Sequence, residues 1–218
     1  MTPPEKAEGK SSPHATAGAA TECSDSGTGT KNLEGTECYL DMDGLLADLF
    51  DAVSDRVHSK KYAETSDEER ETTRELWTAK TRFSKAIGEV EEVFASLSPY
   101  PSNRDLLDIV CARFGGFHIC SHPARIDRDG CIRGKKRWIE QHITPSHGKF
   151  LRGVHFPDMK EEFATTNGRP NLLVDDYTPY VEAWRQAGGV AIRVRSDQFP
   201  GGEGFRDHFL EELDKLGF

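Results

Sequence analysis

From residue 102 onwards, short apolar runs alternate with stretches of helical periodicity, and this alternation constrains the fold more than any other feature. The predicted strands of this region are 117–121, 153–156, 171–176 and 190–194, and the predicted helices are 102–114, 134–143, 179–187 and 205–216. Strands that are separated by helices form a parallel sheet covered on both faces. With an earlier strand at Cys38–Leu40, the pattern predicts an α/β fold, a three-layer Rossmann-like parallel sheet.

The segment between the first strand and residue 102 contains no predicted strand. Helices are predicted at 45–61 and at 86–97. Between them, a further helix is predicted to begin at a capping box formed by Ser66-Asp67-Glu68-Glu69. Because this helical block follows the first strand directly, we expect a helical cap at about 46–100. Its aromatic residues Trp77, Phe83 and Phe94 are expected to form the core of the cap.

Residues 1–36 are rich in Ser, Thr, Gly, Ala and Pro and have almost no large apolar side chain. Such a segment cannot offset the entropy cost of ordering, which predicts a disordered tail at 1–36 and one domain at 37–218. The first residues lack an apolar stretch typical of secretory signals, and their acidic residues are atypical of mitochondrial leaders. We therefore expect a cytoplasmic protein.

Composition excludes several kinds of partner and site. The formal net charge is −9, without the basic face typical of proteins that bind nucleic acid polymers. No run of about 18 apolar residues is present, so no membrane span is expected. The five cysteines include no C-x-x-C pair, which argues against a zinc site or a disulfide framework. Cys120 is expected to be a buried strand residue.

Polar side chains follow three of the predicted strands. The strand ends carry Asp41-Met42-Asp43, Ser121-His122 and Asp175-Asp176, and Lys135, Lys136 and Lys160 lie between the second and the last of these. Ligands of an open parallel sheet bind at the carboxyl ends of its strands. We therefore expect a carboxylate cluster, a hydroxyl and one or two ammonium groups at one edge of the sheet.

Carboxylates held so close together repel one another unless a cation lies between them. Mg²⁺ prefers oxygen ligands and binds through a few carboxylates and a substrate phosphate, so it is the predicted cofactor. One carboxylate can attack phosphorus as a nucleophile, and a second one can protonate the leaving alcohol and then activate water. The hydroxyl and an ammonium group can stabilise the transferring phosphoryl group.

Five stretches of sequence carry a resemblance to a known family. They are C-Y-L-D-M-D-G-L-L-A-D at 38–48, F-H-I-C-S-H-P at 117–123, G-K-K-R-W-I-E-Q-H at 134–142, D-M-K-E-E-F-A at 158–164 and N-L-L-V-D-D-Y-T-P-Y-V-E-A-W at 171–184. In this order they resemble the haloacid dehalogenase (HAD) superfamily of phosphatases, and most closely its 5'-nucleotidase, or 5'(3')-deoxyribonucleotidase, branch. The resemblance covers roughly residues 37–195.

The resemblance implies that Asp41 is the nucleophile and Asp43 the general acid and base. It implies that Mg²⁺ is held by the Asp41 side chain, the Asp43 backbone carbonyl and an acid of the Asp175-Asp176 pair. The second acid, Asp43, argues against dehalogenase chemistry, which in this superfamily lacks it.

The same resemblance makes Ser121 the hydroxyl of the second motif and Lys160 the phosphate-binding lysine. Lys135 aligns with a further lysine, and both it and Lys136 are rivals of Lys160. His122 is either a phosphate-binding neighbour of Ser121 or a loop histidine without a contact. Arg169 is near enough in sequence to be considered as well.

Two positions depart from the branch and leave the substrate open. Leu49 stands where an aromatic residue usually stacks on the base, and Tyr177 stands where an arginine is common. The prediction is a Mg²⁺-dependent phosphomonoesterase for a small soluble phosphate, with a nucleoside 5'-monophosphate as the expected substrate. The alternatives are a sugar phosphate or another metabolite, a catalytically silent nucleotide-binding protein, and a phosphatase of nucleic acid ends. Enzymes of the family are often dimers, which leaves a homodimer open.

Overall fold

A computed structural model of the chain describes residues 35–78, 89–194 and 204–218, with the backbone alone at 73–78. The strands are β1 Cys38–Leu40, β2 Phe117–Cys120, β3 Leu151–His155, β4 Thr165–Thr166, β5 Arg169–Pro170, β6 Leu172–Asp175 and β7 Val190–Arg193. The helices are α1 Leu49–His58, α2 Asp67–Thr78, α3 Val90–Ala95, α4 Asn103–Phe114, α5 Arg128–His142, α6 Thr144–His147, α7 Thr178–Gln186 and α8 Phe205–Leu216.

The main sheet has five strands in the order β3-β2-β1-β6-β7, and all of its strand pairs are parallel. The predicted α/β fold with a parallel sheet is therefore confirmed. The chain runs outward from β1 to β3 on one side and from β6 to β7 on the other. Because the direction of winding changes between β1 and β6, a crevice is expected at the carboxyl ends of these two strands.

The strands have apolar residues on both faces, as expected when helices cover both sides of a sheet. Along β1, Cys38 and Leu40 pack into one core with side chains of α4, α5 and α8, whereas Tyr39 packs into a second core. The second core contains Val181 and Trp184 of α7. The alternation along three strand residues thus places one layer of helices on each face.

Helix α1 is shorter than the predicted helix 45–61. It begins at Leu49, because the side chain of Asp48 accepts a hydrogen bond of 2.9 Å from the Asp51 amide and caps the helix. It ends where Ser59 adopts a left-handed conformation with φ 54°. The predicted capping box is confirmed in α2, since Ser66 and Glu69 exchange hydrogen bonds of 2.8 and 3.2 Å.

Helix α3 is shorter than the predicted helix 86–97 within the part of the chain that the structure describes. It begins at Val90, because Glu89 has an extended backbone with ψ 110°. Phe94 is fully buried, but it packs in the main core and not in a separate core of the cap as expected. The side chain of Trp77, and Phe83 as a whole, lie outside the described residues.

Helix α5 begins at Arg128, six positions before the predicted start at residue 134. Asp127 caps it by accepting a hydrogen bond of 2.9 Å from the Gly130 amide. Gly134 lies inside the helix, and a Cβ there would collide with the Glu91 carbonyl of α3. The glycine therefore allows α3 and α5 to approach closely and does not break the helix.

Most of the expected tail, residues 1–34, lies outside the described residues. Thr36 is buried with 7% exposure, and Glu37 accepts a hydrogen bond of 2.6 Å from Arg152. The packed chain therefore includes Thr36, which the expected tail had contained. Among the helices that the structure describes, none combines the length and the apolar character that a membrane span requires.

Candidate active site

The carboxyl ends of β1, β2 and β6 bring the predicted side chains to one edge of the sheet. The Asp41 amide donates a hydrogen bond of 2.9 Å to the carbonyl of Val174 in β6, so the chain stays paired just past the end of β1. Ser121 follows β2, and its amide donates to the carbonyl of His155 in β3 at 3.0 Å. These backbone bonds fix where the side chains begin and account for the clustering that the sequence predicts.

One lysine joins two of the acidic residues. The Lys160 Nζ lies 2.7 Å from Asp41 Oδ1 and 2.7 Å from Asp175 Oδ2. Burial works against its charge, yet the carboxylates of Asp175 and Asp41 raise the pKa of Lys160 above its usual range, so it stays an ammonium group. The Asp175 Oδ1 also accepts a hydrogen bond of 2.8 Å from the Tyr177 amide. Both oxygens of Asp175 therefore have protein partners.

A second lysine joins the other acid to the hydroxyl. The Lys135 Nζ donates to Asp43 Oδ2 at 2.6 Å, to Ser121 Oγ at 2.8 Å and to the His122 carbonyl at 2.9 Å. Burial raises the pKa of Asp43, and the Lys135 ammonium opposes this effect. Asp43 Oδ1 is buried and has no hydrogen-bond partner among the described residues.

The turn that follows Asp43 requires glycine for two reasons. Gly44 has φ 80°, a left-handed conformation that other residues adopt only with strain. A Cβ at this position would also collide with the carboxylate of Asp176. The D-M-D-G turn therefore lets the Asp176 side chain approach the backbone that carries Asp41 and Asp43.

Three carboxylates form a group that fits a hard cation. One oxygen of each of Asp41, Asp175 and Asp176 lies within 4.8 Å of the others. Burial, together with the charges of Asp41 and Asp175, raises the pKa of Asp176 well above its usual value. Burial likewise raises the pKa of Asp175 to about 6. Such crowding of oxygen ligands is relieved by a divalent cation, and the donor set is of the kind that Mg²⁺ prefers.

His122 lies next to Ser121 but has no polar contact through its ring in the described part of the chain. Its Nδ1 is buried without a hydrogen-bond partner, and its ring centroid lies 5.9 Å from that of Tyr180. Burial lowers the pKa of His122, and the cations Arg125 and Lys135 lower it further. The structure thus places a neutral imidazole beside the site and does not assign it a partner.

The expectation that Arg169 could reach the site is wrong. Its guanidinium group lies against Gly35, which precedes β1, with Nη1 2.9 Å from the position that a Cβ of Gly35 would occupy. The reason is the short antiparallel hairpin of β4 and β5, which the sequence reading missed and which pairs Arg169 with Thr166. The hairpin holds Arg169 at the amino edge of the sheet, opposite the carboxylates.

Aromatic rings lie against both lysines, and sequence reasoning did not assign them to the site. The Lys160 Nζ is 4.6 Å from the centroid of the Tyr180 ring, and the Lys135 Nζ is 5.1 Å from that of Phe94. Tyr177, at 52% exposure, packs edge-on against Tyr180. Tyr180 lies in the first turn of the helix that follows Asp175-Asp176, and this position in the sequence could have indicated that its ring is close to the site.

Three buried residues near the site are structural, and for Cys120 this confirms the prediction. Cys120, Trp138 and Trp184 are fully buried. The indole nitrogens donate to the carbonyls of Leu97 at 2.8 Å and Asn171 at 3.0 Å, so both tryptophans are satisfied core residues. Burial raises the pKa of Cys120 to about 12, which suits an inert thiol.

Comparison with known proteins gives fold relatives alone. No family model matches the chain, and a search of curated proteins found no match. Among solved structures, the L-2-haloacid dehalogenase from Xanthobacter autotrophicus is 15% identical, with a TM-score of 0.49, over 73% of this chain and 77% of that chain. A HAD-superfamily hydrolase of subfamily IA from Geobacter sulfurreducens is 17% identical, with a TM-score of 0.44, over 72% and 88% of the two chains.

A third similar structure is a HAD family enzyme from Bacteroides thetaiotaomicron in complex with magnesium and inorganic phosphate. It is 11% identical, with a TM-score of 0.42, over 74% of this chain and 94% of that chain. The likeness to the 5'-nucleotidase branch stays a prediction.

Proposed function

We propose that the protein is a Mg²⁺-dependent phosphomonoesterase that acts through an aspartyl-phosphate. One observation carries the proposal. At the same edge of the sheet, two buried lysines each form an ion pair with an aspartate, Lys160 with Asp41 and Lys135 with Asp43. A site that binds a phosphate dianion next to carboxylates needs cations close by, because like charges at this distance repel.

The proposed roles are those that the resemblance implies, and the contacts of the two lysines support them. Asp41 attacks phosphorus, so that a bond forms between its carboxylate oxygen and phosphorus while the bond from phosphorus to the leaving oxygen breaks. Asp43 gives its proton to the leaving oxygen, which departs as an alcohol. Water then attacks the aspartyl-phosphate and loses a proton to Asp43, which releases orthophosphate and restores Asp41. Lys160 keeps its charge throughout and faces the phosphoryl group.

Mg²⁺ would be held by Asp41 and by the Asp175-Asp176 pair, with the Asp43 backbone carbonyl as a further oxygen ligand. Because both oxygens of Asp175 already have protein partners, we assign Asp176 as the principal ligand of the pair. The bound ion would offset the negative charge of the phosphate that approaches Asp41.

We propose a nucleoside 5'-monophosphate as the substrate, on the strength of the resemblance and of the exposed ring of Tyr177 beside the acids. A sugar phosphate or another small metabolite is the second candidate, and one observation favours it. Leu49, which replaces the usual base-stacking aromatic residue, is 4% exposed and packs in the main core. The next residue, Phe50, packs against Tyr62 at 5.3 Å between ring centroids. Neither side chain is therefore placed as a free stacking platform.

Phosphate release from a panel of compounds tests the proposal. The panel contains nucleoside 5'-monophosphates, sugar phosphates, a 3'-phosphorylated oligonucleotide and p-nitrophenyl phosphate, each with Mg²⁺ and with EDTA. We expect release that requires Mg²⁺ and is fastest with a nucleotide. Fastest release from a sugar phosphate would keep the mechanism and replace the substrate. Nucleotide binding without any release would support the silent binding protein and overturn the enzyme.

A further inference from the structure

Lys135 has a contact pattern that differs from that of a phosphate-binding lysine. Its side chain is fully buried, and its ammonium group donates to Asp43 Oδ2, Ser121 Oγ and the His122 carbonyl at 2.6–2.9 Å. An ammonium group has three protons. All three are therefore directed at acceptors of the protein, and a phosphate could be bound only if one of these bonds were broken.

Lys160 differs from Lys135 in this respect. Its two acceptors in the described structure are carboxylate oxygens, Asp41 Oδ1 and Asp175 Oδ2, each at 2.7 Å. Two of its three protons are used in these bonds, which leaves one for a substrate oxygen. Of the two lysines, Lys160 is thus the one that can bind the phosphoryl group without giving up a contact.

The three acceptors of Lys135 come from two different strand ends. Asp43 follows β1, whereas Ser121 and His122 follow β2, so the lysine connects the two loops that form one side of the site. With Oδ2 of Asp43 held by Lys135, Oδ1 is the oxygen that remains without a partner among the described residues. The lysine thereby restricts the rotamer of Asp43 and leaves Oδ1 as the oxygen that can take a further hydrogen-bond partner.

The packing of helix α5 explains why Lys135 cannot move away easily. Gly134 lies against the backbone of α3, so the helix carries Lys135 in toward the sheet and under the Phe94 ring. A buried ammonium group that leaves its carboxylate partner becomes an uncompensated buried charge, which disfavours an exchange of partners. Its neighbour Lys136 is exposed on the same helix.

We propose that Lys135 is a positioning residue: it holds Asp43 and Ser121 in register for proton transfer to the leaving oxygen and does not bind the phosphoryl group. This role rests on the proposed function and is an alternative to the phosphate-binding role expected from the resemblance. Loss of Lys135 should therefore impair protonation of the leaving group more than it impairs phosphate binding.

The test compares two leaving groups. An alkyl phosphate needs Asp43 to protonate its leaving oxygen, whereas p-nitrophenolate departs without a proton. For Lys135→Met we expect kcat/KM to fall on the order of a hundredfold with the alkyl phosphate and by less than about fivefold with p-nitrophenyl phosphate. Lys136→Met is the matched control, in which neither value should change. Asp43→Asn should show the same dependence on the leaving group, and the double variant should lose no more than Asp43→Asn alone.

Calorimetric titration with inorganic phosphate in the presence of Mg²⁺ provides a readout that does not depend on turnover. We expect the Kd of phosphate to stay within about threefold in Lys135→Met and to rise at least about tenfold in Lys160→Met. Thermal unfolding verifies that each variant is folded, and Lys135→Gln replaces Lys135→Met if the latter is unstable. Equal loss with both leaving groups, additive loss in the double variant, or weakened phosphate binding in the Lys135 variants would overturn the role of Lys135. A wild-type protein that hydrolyses neither compound would instead overturn the proposed function itself.

Discussion

At the scale of the residue, the clustering of the acids could be predicted from sequence, whereas the contacts of Lys135 could not. Asp41 and Asp43 follow β1, and the Asp175-Asp176 pair stands at the end of β6. Parallel strands bring their carboxyl ends to one edge whatever the rest of the chain does. The contacts of Lys135 depend on the rotation of α5 and on where that helix begins. Spacing along the chain does not determine either quantity.

A second polar cluster links the residue before β1 with residues of β2 and β3. His118 contacts His155 at 3.1 Å through one ring nitrogen and Glu37 at 3.1 Å through the other. Glu37 also accepts from Arg152 at 2.6 Å, and the His118 ring stacks on Tyr39. Burial lowers the pKa of His155 below its usual value, and His118 lowers it further.

We predict that this cluster makes stability depend on pH. Because the folded state holds His155 neutral, the unfolded chain takes up the proton first as the pH falls. The contribution of His155 is therefore complete above about pH 6.5 and is lost as the pH falls from there toward the lower pKa of the folded state. Urea unfolding between about pH 8 and about pH 5 measures this loss. His155→Gln, which cannot titrate, should flatten the dependence, and an unchanged slope in that variant would contradict the prediction; His58→Gln serves for comparison.

At the scale of the element, strands were predicted to within two residues at each end, and helix ends less closely. The strands follow from apolar runs bounded by turn residues. Helix α1 begins later than predicted because Asp48 caps it, and α5 begins earlier because Asp127 caps it. Both capping aspartates could have been recognised in the sequence. A glycine such as Gly134, however, indicates a helix boundary until the close approach of a neighbouring helix is known. The contacts between α3 and α5 are long-range information that local patterns do not contain.

Gly134→Ala tests the packing of these two helices. Alanine is favoured over glycine inside a helix by up to about 1 kcal/mol, yet its Cβ would meet the Glu91 carbonyl and the Phe94 side chain. We expect the collision to prevail, with a net loss of about 1–3 kcal/mol in the free energy of unfolding, measured by urea denaturation. Increased stability would show that α3 can move away from α5. Lys136→Ala, on the exposed face of the same helix, is the control.

At the scale of the whole molecule, the parallel sheet and the helical insertion after β1 were predicted from the alternation of apolar runs. The hairpin of β4 and β5 was missed, because strands of two residues leave no periodicity to detect. In the described part of the chain, the insertion contains helices and one 3-10 turn but no strand of the main sheet. Its last helix, α3, is joined to α5 by ion pairs of Arg133 with Glu91 at 2.6 Å and of Arg137 with Glu92. We propose that a moving cap would have to lie before α3.

The domain boundary gives a prediction at the same scale. We propose that residues 35–218 fold without the preceding segment, whose composition is poor in large apolar side chains. Deletion of residues 1–34 should leave the midpoint and the slope of urea unfolding unchanged within error, and activity with it. Deletion of residues 1–37 should be destabilising, because it removes the buried Thr36 and the contacts of Glu37 with Arg152 and His118. Equal stability of the two truncated chains would contradict the boundary.

The central claim is that Asp41 carries the phosphoryl group, and trapping that species tests it most directly. Acid quenching during turnover of p-nitrophenyl phosphate with Mg²⁺, followed by peptide mass spectrometry, should locate phosphate on the peptide that contains Asp41. Asp41→Asn should stay folded, carry no phosphate label and lose at least about a thousandfold in kcat/KM. Asp55→Asn, on the exposed face of α1, should keep the label on the Asp41 peptide and the kcat/KM of the wild type. Phosphate release by an enzyme that is never labelled, or an Asp41→Asn variant that retains more than a few per cent of activity, would contradict the account.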